Sequence, residues 1–353
     1  MRDLAGRASR ALCATGLLAA LALAPSLSLA QEIVLKTGTS WNKNFPMAEM
    51  LSLLDSRMKA HSEGRLGMEI HLANSLCSEK TCVEQVELGQ TDIGTASVSN
   101  YGGFYRTYEV LTLPYIFSDE AAAQSVLEGF LFDELETVSV EKDGIRVLAV
   151  VPFLGFRQLE TAEGPVKSPA DLRGKKVRVT KSPLDGALIR AWGAVATPVA
   201  WAETYDALQQ NVVSGLYIQK PVHAMMKFYE VTPYVTMTGG AWTPMIIFMD
   251  QDRYAALPDW AQKAVDQAAA DLRGQVFQID QTYADKLGAA NAEDITYYTP
   301  TEAEMAEWRA AAARSWAVGK QLKLYDPAMA RRILETQEGT AAFIEQLEKQ
   351  GSL

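Results

Sequence analysis

The sequence predicts an α/β fold built as two units. Short apolar runs alternate with helical periodicity along most of the chain, the first such stretch reads as a β-α-β unit, and 353 residues suffice for two domains at roughly 150 residues each. A composition of 48% apolar and 22% charged residues, with three Cys, excludes disordered, fibrous and disulfide-scaffold chains. A net charge of −10 argues against nucleic acid as a partner, because phosphate binding draws on clustered Lys and Arg.

Residues 1–30 are set aside from the fold. Arg2, Arg7 and Arg10 precede an uncharged run from Ala11 to Ala24, and Ser28-Leu29-Ala30 supplies small residues before a cut, the pattern of a secretory signal peptide cleaved after about Ala30. Cleavage removes three of 33 positive and one of 43 negative charges, leaving −12. The expectation is a soluble, acidic, exported protein. Cys13 would be lost with the leader, and its neighbours do not form a lipoprotein cleavage motif.

Ile33 to Lys36 reads as a strand, Met47, Met50, Leu51, Leu54 and Met58 as one helix face, and Met68, Ile70 and Leu72 as the second strand. Val83 to Leu88 is expected to be helical, Asp92 to Ala96 extended, and Ala121 to Phe132 helical. Arg146 to Val151 is a near-continuous apolar run of the kind a buried parallel strand shows. Strands follow at Lys176 to Thr180, Val195 to Val199 and Val212 to Ile218, with helices at Pro183 to Trp192 and Glu203 to Gln210. From Pro258 to about Ala290 the apolar spacing predicts a helix of about 45 Å that braces both domains, the alternative being two helices broken near Gly274.

Cys77 and Cys82 are an isolated pair in an exported chain, which predicts a disulfide. Residues five apart on one helix diverge, so a bridge requires Cys77 in the loop before the helix that carries Cys82. Two free thiols are the alternative. Metal binding is not expected, with two sulfurs and no His beside them. The three His, His61, His71 and His223, have no partners at motif spacing, and no nucleophile elbow, phosphate loop, dinucleotide fingerprint or zinc helix occurs. No enzyme and no cofactor are expected.

Ligands of open α/β sheets bind beyond the carboxyl ends of strands. Trp41 follows the first strand with Thr39 and Ser40, Ser97, Asn100 and Tyr101 follow Asp92 to Ala96, Arg157 follows Arg146 to Val151, and Arg178 sits within or at the end of Lys176 to Thr180. An arginine near a sheet interior calls for an anion, either a ligand carboxylate or an Asp or Glu of the chain.

Several segments, in order, resemble the substrate-binding proteins of TRAP (tripartite ATP-independent periplasmic) transporters. They are Glu87-Leu88-Gly89-Gln90-Thr91-Asp92, Leu113-Pro114-Tyr115-Ile116-Phe117, Asp171-Leu172-Arg173-Gly174-Lys175-Lys176-Val177-Arg178-Val179, Trp192-Gly193-Ala194, Tyr205-Asp206-Ala207-Leu208-Gln209-Gln210 and Leu257-Pro258-Asp259-Trp260. The resemblance implies a periplasmic-binding-protein clam shell that closes on a small organic acid and delivers it to membrane permease subunits. It implies that the carboxylate arginine is Arg178, that a second ligand arginine is Arg157, and that an aromatic packing on the ligand is Trp201. Where the family carries Asp-Gly and polar residues, this chain reads Ser214-Gly215-Leu216-Tyr217-Ile218, which predicts that polar contacts are missing there and that the ligand has an apolar or aromatic body. Trp41, Tyr101, Tyr217 and Trp242 are further candidate walls. The expected division is 31–154 plus about 240–275 for one domain and 155–239 plus about 276–353 for the other, in a monomer. The competing readings are a secreted α/β enzyme such as a hydrolase and a binding protein of an ABC importer.

Overall fold

The computed structural model describes residues 31–288 and 292–353. The leader, Cys13 and the last residues expected of the 258–290 helix lie outside the described residues.

Two mixed sheets form the frame. The first has the order β2-β1-β3-β10-β4, from β1 (Ile33–Gly38), β2 (Leu66–His71), β3 (Ile93–Ser97), β4 (Ile145–Val151) and β10 (Met245–Asp250). The second has the order β11-β9-β5-β8-β6-β7, from β5 (Phe156–Thr161), β6 (Lys176–Val179), β7 (Val195–Pro198), β8 (Gly215–Gln219), β9 (Tyr234–Trp242) and β11 (Thr296–Tyr298). The chain crosses from the first sheet to the second through 152–155 and returns through Thr243 and Pro244. The strands reached by these two crossings run antiparallel to their neighbours: β5 to β8 and β9, β10 to β3 and β4. The remaining pairs are parallel, as β-α-β winding requires.

The helix Pro46–His61 shows why the opening unit folds as it does. Pro46 starts it, Glu49 lies in its positive first turn and Lys59 and His61 in its last, and Met47, Met50, Leu51, Leu54 and Met58 all face the core. The continuous brace expected from Pro258 is instead two helices, Asp259–Arg273 and Val276–Gly288. Gly274 ends the first, with its N–H bonded back to Ala270 O at 3.2 Å, and the ladder restarts at Val276. Glycine costs a helix interior about 1 kcal/mol relative to alanine, which favours a break there. Bracing survives the break: the second helix touches both Pro46–His61 and the helix Lys220–Met225 that follows β8.

That second helix also holds a crossing. At Leu154 and Gly155 the backbone takes φ of 58° and 87°, and both oxygens of buried Asp280 accept from Leu154 N–H at 2.9 Å. Burial raises the Asp280 carboxyl to about 7, the Leu154 bond opposing the shift in part. At the C-terminal end, the helix Glu302–Gln321 pins two segments through indole N–H donors, Trp308 to Lys167 O at 3.2 Å and Trp316 to Pro114 O at 3.0 Å.

Candidate functional site

Cys77 and Cys82 are joined, with Cα atoms 5.0 Å apart; Cys77 lies in the loop before the helix Glu79–Glu87 and Cys82 on it. The bridge rests on the end of β1. A Cβ at Gly38 would stand 2.3 Å from Cys77 Sγ, so the strand needs glycine there. Ser78 caps the same helix and exchanges hydrogen bonds with Thr81. Loop, bridge and cap together fix Glu79, the first helical residue. Its Oε2 accepts from Ser97 N–H (2.9 Å), Ser97 Oγ–H (2.6 Å) and Asn100 Nδ2–H (2.7 Å), at the carboxyl end of β3.

From the second sheet come two arginines, both buried. Arg157, paired in register with Gln219 of β8, donates from one terminal nitrogen to Asp185 Oδ2 at 2.8 Å, and its Nε has no partner. Asp185 is fixed from three sides: Thr180 Oγ–H donates to it at 2.5 Å, Ser99 Oγ–H at 3.5 Å, and its own N–H is capped by Ser182. Arg178 in β6 is held only through Nε–H to Val199 O at 3.1 Å. No carboxylate pairs with it among the described residues, although it is only 4% exposed. Burial pushes its guanidinium down to about 10 and the charge of Arg157 adds to this, while Asp185 and Glu79 oppose it.

These groups line one cleft between the two sheets, partly open to solvent. Trp41, from the loop after β1, packs on Phe153 of the crossing (ring centroids 4.4 Å apart) and reaches Trp201, in the short helical turn after β7, at 6.0 Å. The Arg178 guanidinium stands 5.6 Å from the Trp201 ring centre. Arg178, Arg157, Trp201, Ile218, Ser97, Asn100 and Trp41 thus share one cavity.

Tyr217 and Trp242 do not line it. Tyr217 alternates to the other face of β8 and packs edge-on against Trp192, and Trp242 packs between Phe117 and Phe277. Tyr101 is likewise core, against Tyr105, Tyr108 and Phe248. The histidines lie elsewhere: His61 meets Asp271, His71 meets Glu69, and buried His223, lowered to about 4 by burial, bonds to Thr232 O.

Leu216, Tyr217 and Ile218 are buried and bring no polar group of their own to the cavity, but polar residues line it around them. Gln219 lines the cavity one residue on, and Glu79, Thr180 and Thr243 line it too, none of them singled out from the sequence. Arg157 lies within its own strand, β5, not in a loop after β4. Phe-Arg-Gln-Leu-Glu-Thr has no polar alternation to mark it as a strand, because charged and apolar positions alike are buried there.

The sequence model of the family DctP, described as bacterial extracellular solute-binding protein, family 7, matches residues 37–321. Among curated relatives, the 2,3-diketo-L-gulonate-binding periplasmic protein YiaO of Escherichia coli is 27% identical, over 68% of this chain and 74% of its own. The C4-dicarboxylate-binding periplasmic protein DctP of Rhodobacter capsulatus is 26% identical, over 82% and 87%. Among solved structures, a TRAP periplasmic solute-binding protein from Citrobacter koseri with bound D-glucuronate superposes with a TM-score of 0.78 at 21% identity, covering 86% of this chain and all of that one. One from Roseobacter denitrificans with bound L-galactonate gives 0.71 at 25% identity, covering 84% of this chain and all of that one. The chain therefore belongs to the DctP family, the bacterial extracellular solute-binding proteins of family 7, and has the two-domain fold of the TRAP periplasmic solute-binding proteins.

Proposed function

We propose that the protein is a non-catalytic periplasmic receptor that closes its two lobes on a small organic acid and hands it to the permease subunits of a TRAP transporter. The observation that carries the reading is Arg178, a buried guanidinium lining an interlobe cavity with no carboxylate of its own among the described residues. A buried charge is costly unless paired, and a ligand carboxylate fits the guanidinium fork. Arg157, already neutralised by Asp185, adds donors rather than net charge. Trp201 and Trp41 close on the ligand from opposite lobes, with Ile218 as an apolar wall and Ser97 and Asn100 behind Glu79. Ligands named for the relatives, 2,3-diketo-L-gulonate and C4-dicarboxylates, and those bound in the solved neighbours, D-glucuronate and L-galactonate, are carboxylates, which supports the class.

In this reading the lobes are 31–154 with about 240–275, and 155–239 with about 276–353. The C-terminal helices touch both. The protein works as a monomer after cleavage near Ala30, with neither metal nor cofactor. A thermal-shift screen of organic acids on the exported form tests it: a ligand at 100 times its Kd adds about 2.7 kcal/mol of stability. Carboxylates should raise the Tm of the wild type and leave Arg178→Ala unmoved. A screen in which only uncharged sugars or amines raise the Tm defeats the reading.

A further inference from the structure

We infer that Glu79 is a second pole of the cavity, matched to a cationic donor, so that the ligand is a zwitterionic amino-carboxylate and dicarboxylates are rejected. The inference rests on the carboxylate-receptor reading and names the ligand class for the same cavity. Three donors converge on Glu79 Oε2, which holds the side chain still. Oε1 accepts no hydrogen bond, and no Lys or Arg pairs with Glu79 among the described residues. A fixed carboxylate lining the cavity, with one oxygen that no protein donor occupies, can accept from a ligand donor.

Charge balance selects the donor. The ionised groups lining or anchoring the cavity are Arg157 and Arg178 against Asp185 and Glu79, a formal charge of zero. A zwitterion keeps that balance, its carboxylate at Arg178 and its ammonium at Glu79. A dicarboxylate adds two negative charges and sets one against Glu79, where like charges repel. The loop bridge Cys77–Cys82 acts as the positioning device, because it fixes the helix whose first residue is Glu79.

The test is titration calorimetry on the wild type and Glu79→Gln with four series of two to six carbons: n-alkanoates, ω-amino acids, ω-hydroxy acids and α,ω-dicarboxylates. In the wild type the best ω-amino acid should bind about tenfold or more tightly than the alkanoate and the dicarboxylate of its length. Glu79→Gln keeps an oxygen for the three donors and turns an amide into the cavity. It should erase that preference and improve dicarboxylate binding, and a cooperative thermal melt of the unliganded variant shows that it is folded. A dicarboxylate or a hydroxy acid ranking first in the wild type overturns the assignment, as does an amino preference that survives Glu79→Gln. The wild-type ranking decides even where the variant does not fold. If no series binds, alkanoates included, the carboxylate-receptor reading itself fails; if alkanoates bind and amino acids gain nothing, only the second pole fails.

Discussion

Removing Arg178 should abolish binding while leaving the unliganded fold as stable as before, a separation that few buried residues would give. In the free protein the guanidinium is held down to about 10 from 12.5. At 1.36 kcal/mol per unit, its burial in charged form costs the fold about 3 kcal/mol. Against that stand one neutral hydrogen bond to Val199 O, about 1 kcal/mol, and the packing of the aliphatic stem, another 1–2 kcal/mol. Arg178→Ala therefore exchanges terms of similar size, and Arg178→Met, which keeps the stem's volume, should raise unliganded stability by about 1–2 kcal/mol. With ligand the balance reverses. A carboxylate left buried and unpaired loses about 3–5 kcal/mol, or two to three and a half decades of Kd. Arg178→Lys should recover little of this, since an ammonium has no planar fork. Thermal scans of the unliganded variants and titration calorimetry with any carboxylate that raises the wild-type Tm measure both halves. Affinity within threefold of wild type in Arg178→Ala refutes the ligand role. A loss of several kcal/mol in unliganded Arg178→Met refutes the strain argument.

Three further outcomes follow from particular contacts. Replacing both Cys77 and Cys82 by Ala should cost about 2 kcal/mol, the loop-closure value for so short a ring, and thiol counting on denatured, unreduced protein should find none free. Gly38→Ala should destabilise by about 1–3 kcal/mol in the bridged protein and be nearly neutral in the Cys77→Ala, Cys82→Ala background, because the atom its Cβ meets is Cys77 Sγ; equal costs in both backgrounds would place the strain elsewhere. Asp280 has a folded pKa of about 7 against 3.8, so its stabilising contribution is whole below about pH 3.8 and is lost as pH rises through about 7. Asp280→Asn keeps a neutral acceptor for Leu154 N–H and should be more stable than wild type at pH 8, by up to about 4 kcal/mol, with the difference gone at pH 4; coincident urea midpoints at pH 8 count against it.

What could be read from the sequence was what period and position encode. The helix face of Met47 to Met58 lies in the core, and the strands expected near Ile33, Asp92, Arg146 and Lys176 are present because each is a run whose apolar spacing has one solution. β9 and β10 went unread for opposite reasons. Tyr-Val-Thr-Met-Thr-Gly-Gly-Ala-Trp buries threonines and glycine where apolar residues mark a strand, and Met245 to Met249 follows Thr243 and Pro244 so closely that only the crossing between sheets separates the two. The site divided in the same way. Arg178 and Arg157 stand out by strand-end position as well as by motif, and Trp201 by motif alone, whereas Glu79 stands in no motif, and only the three donors drawn from Ser97 and Asn100 reveal its orientation. Tyr217 and Ile218 adjoin in sequence, but strand alternation sends one to the core and the other to the cavity.

The same electrostatics explain why closing can depend on the ligand in the proposed reading. A ligand moves an open–closed equilibrium only by as much as it binds one form better. Trp41 and Trp201 come from opposite lobes and meet at 6.0 Å, so bringing the lobes together strips water from Arg178 beside Trp201. Without a carboxylate, whatever part of that desolvation is incurred on closing opposes closure. A carboxylate arriving at the open cleft converts the penalty into a charge-assisted pair that is strongest once water is gone. Arg157 cannot supply this bias, because Asp185 neutralises it within its own lobe, through Oδ2 at 2.8 Å, whether or not the lobes meet. The asymmetry between the two arginines therefore makes Arg178→Met the variant to examine for lobe closure. Its unliganded form should be more closed than wild type in small-angle scattering, while Arg157→Met, which strands Asp185, should lose stability first. Equal unliganded dimensions for wild type and Arg178→Met would show that the charge of Arg178 does not hold the lobes apart.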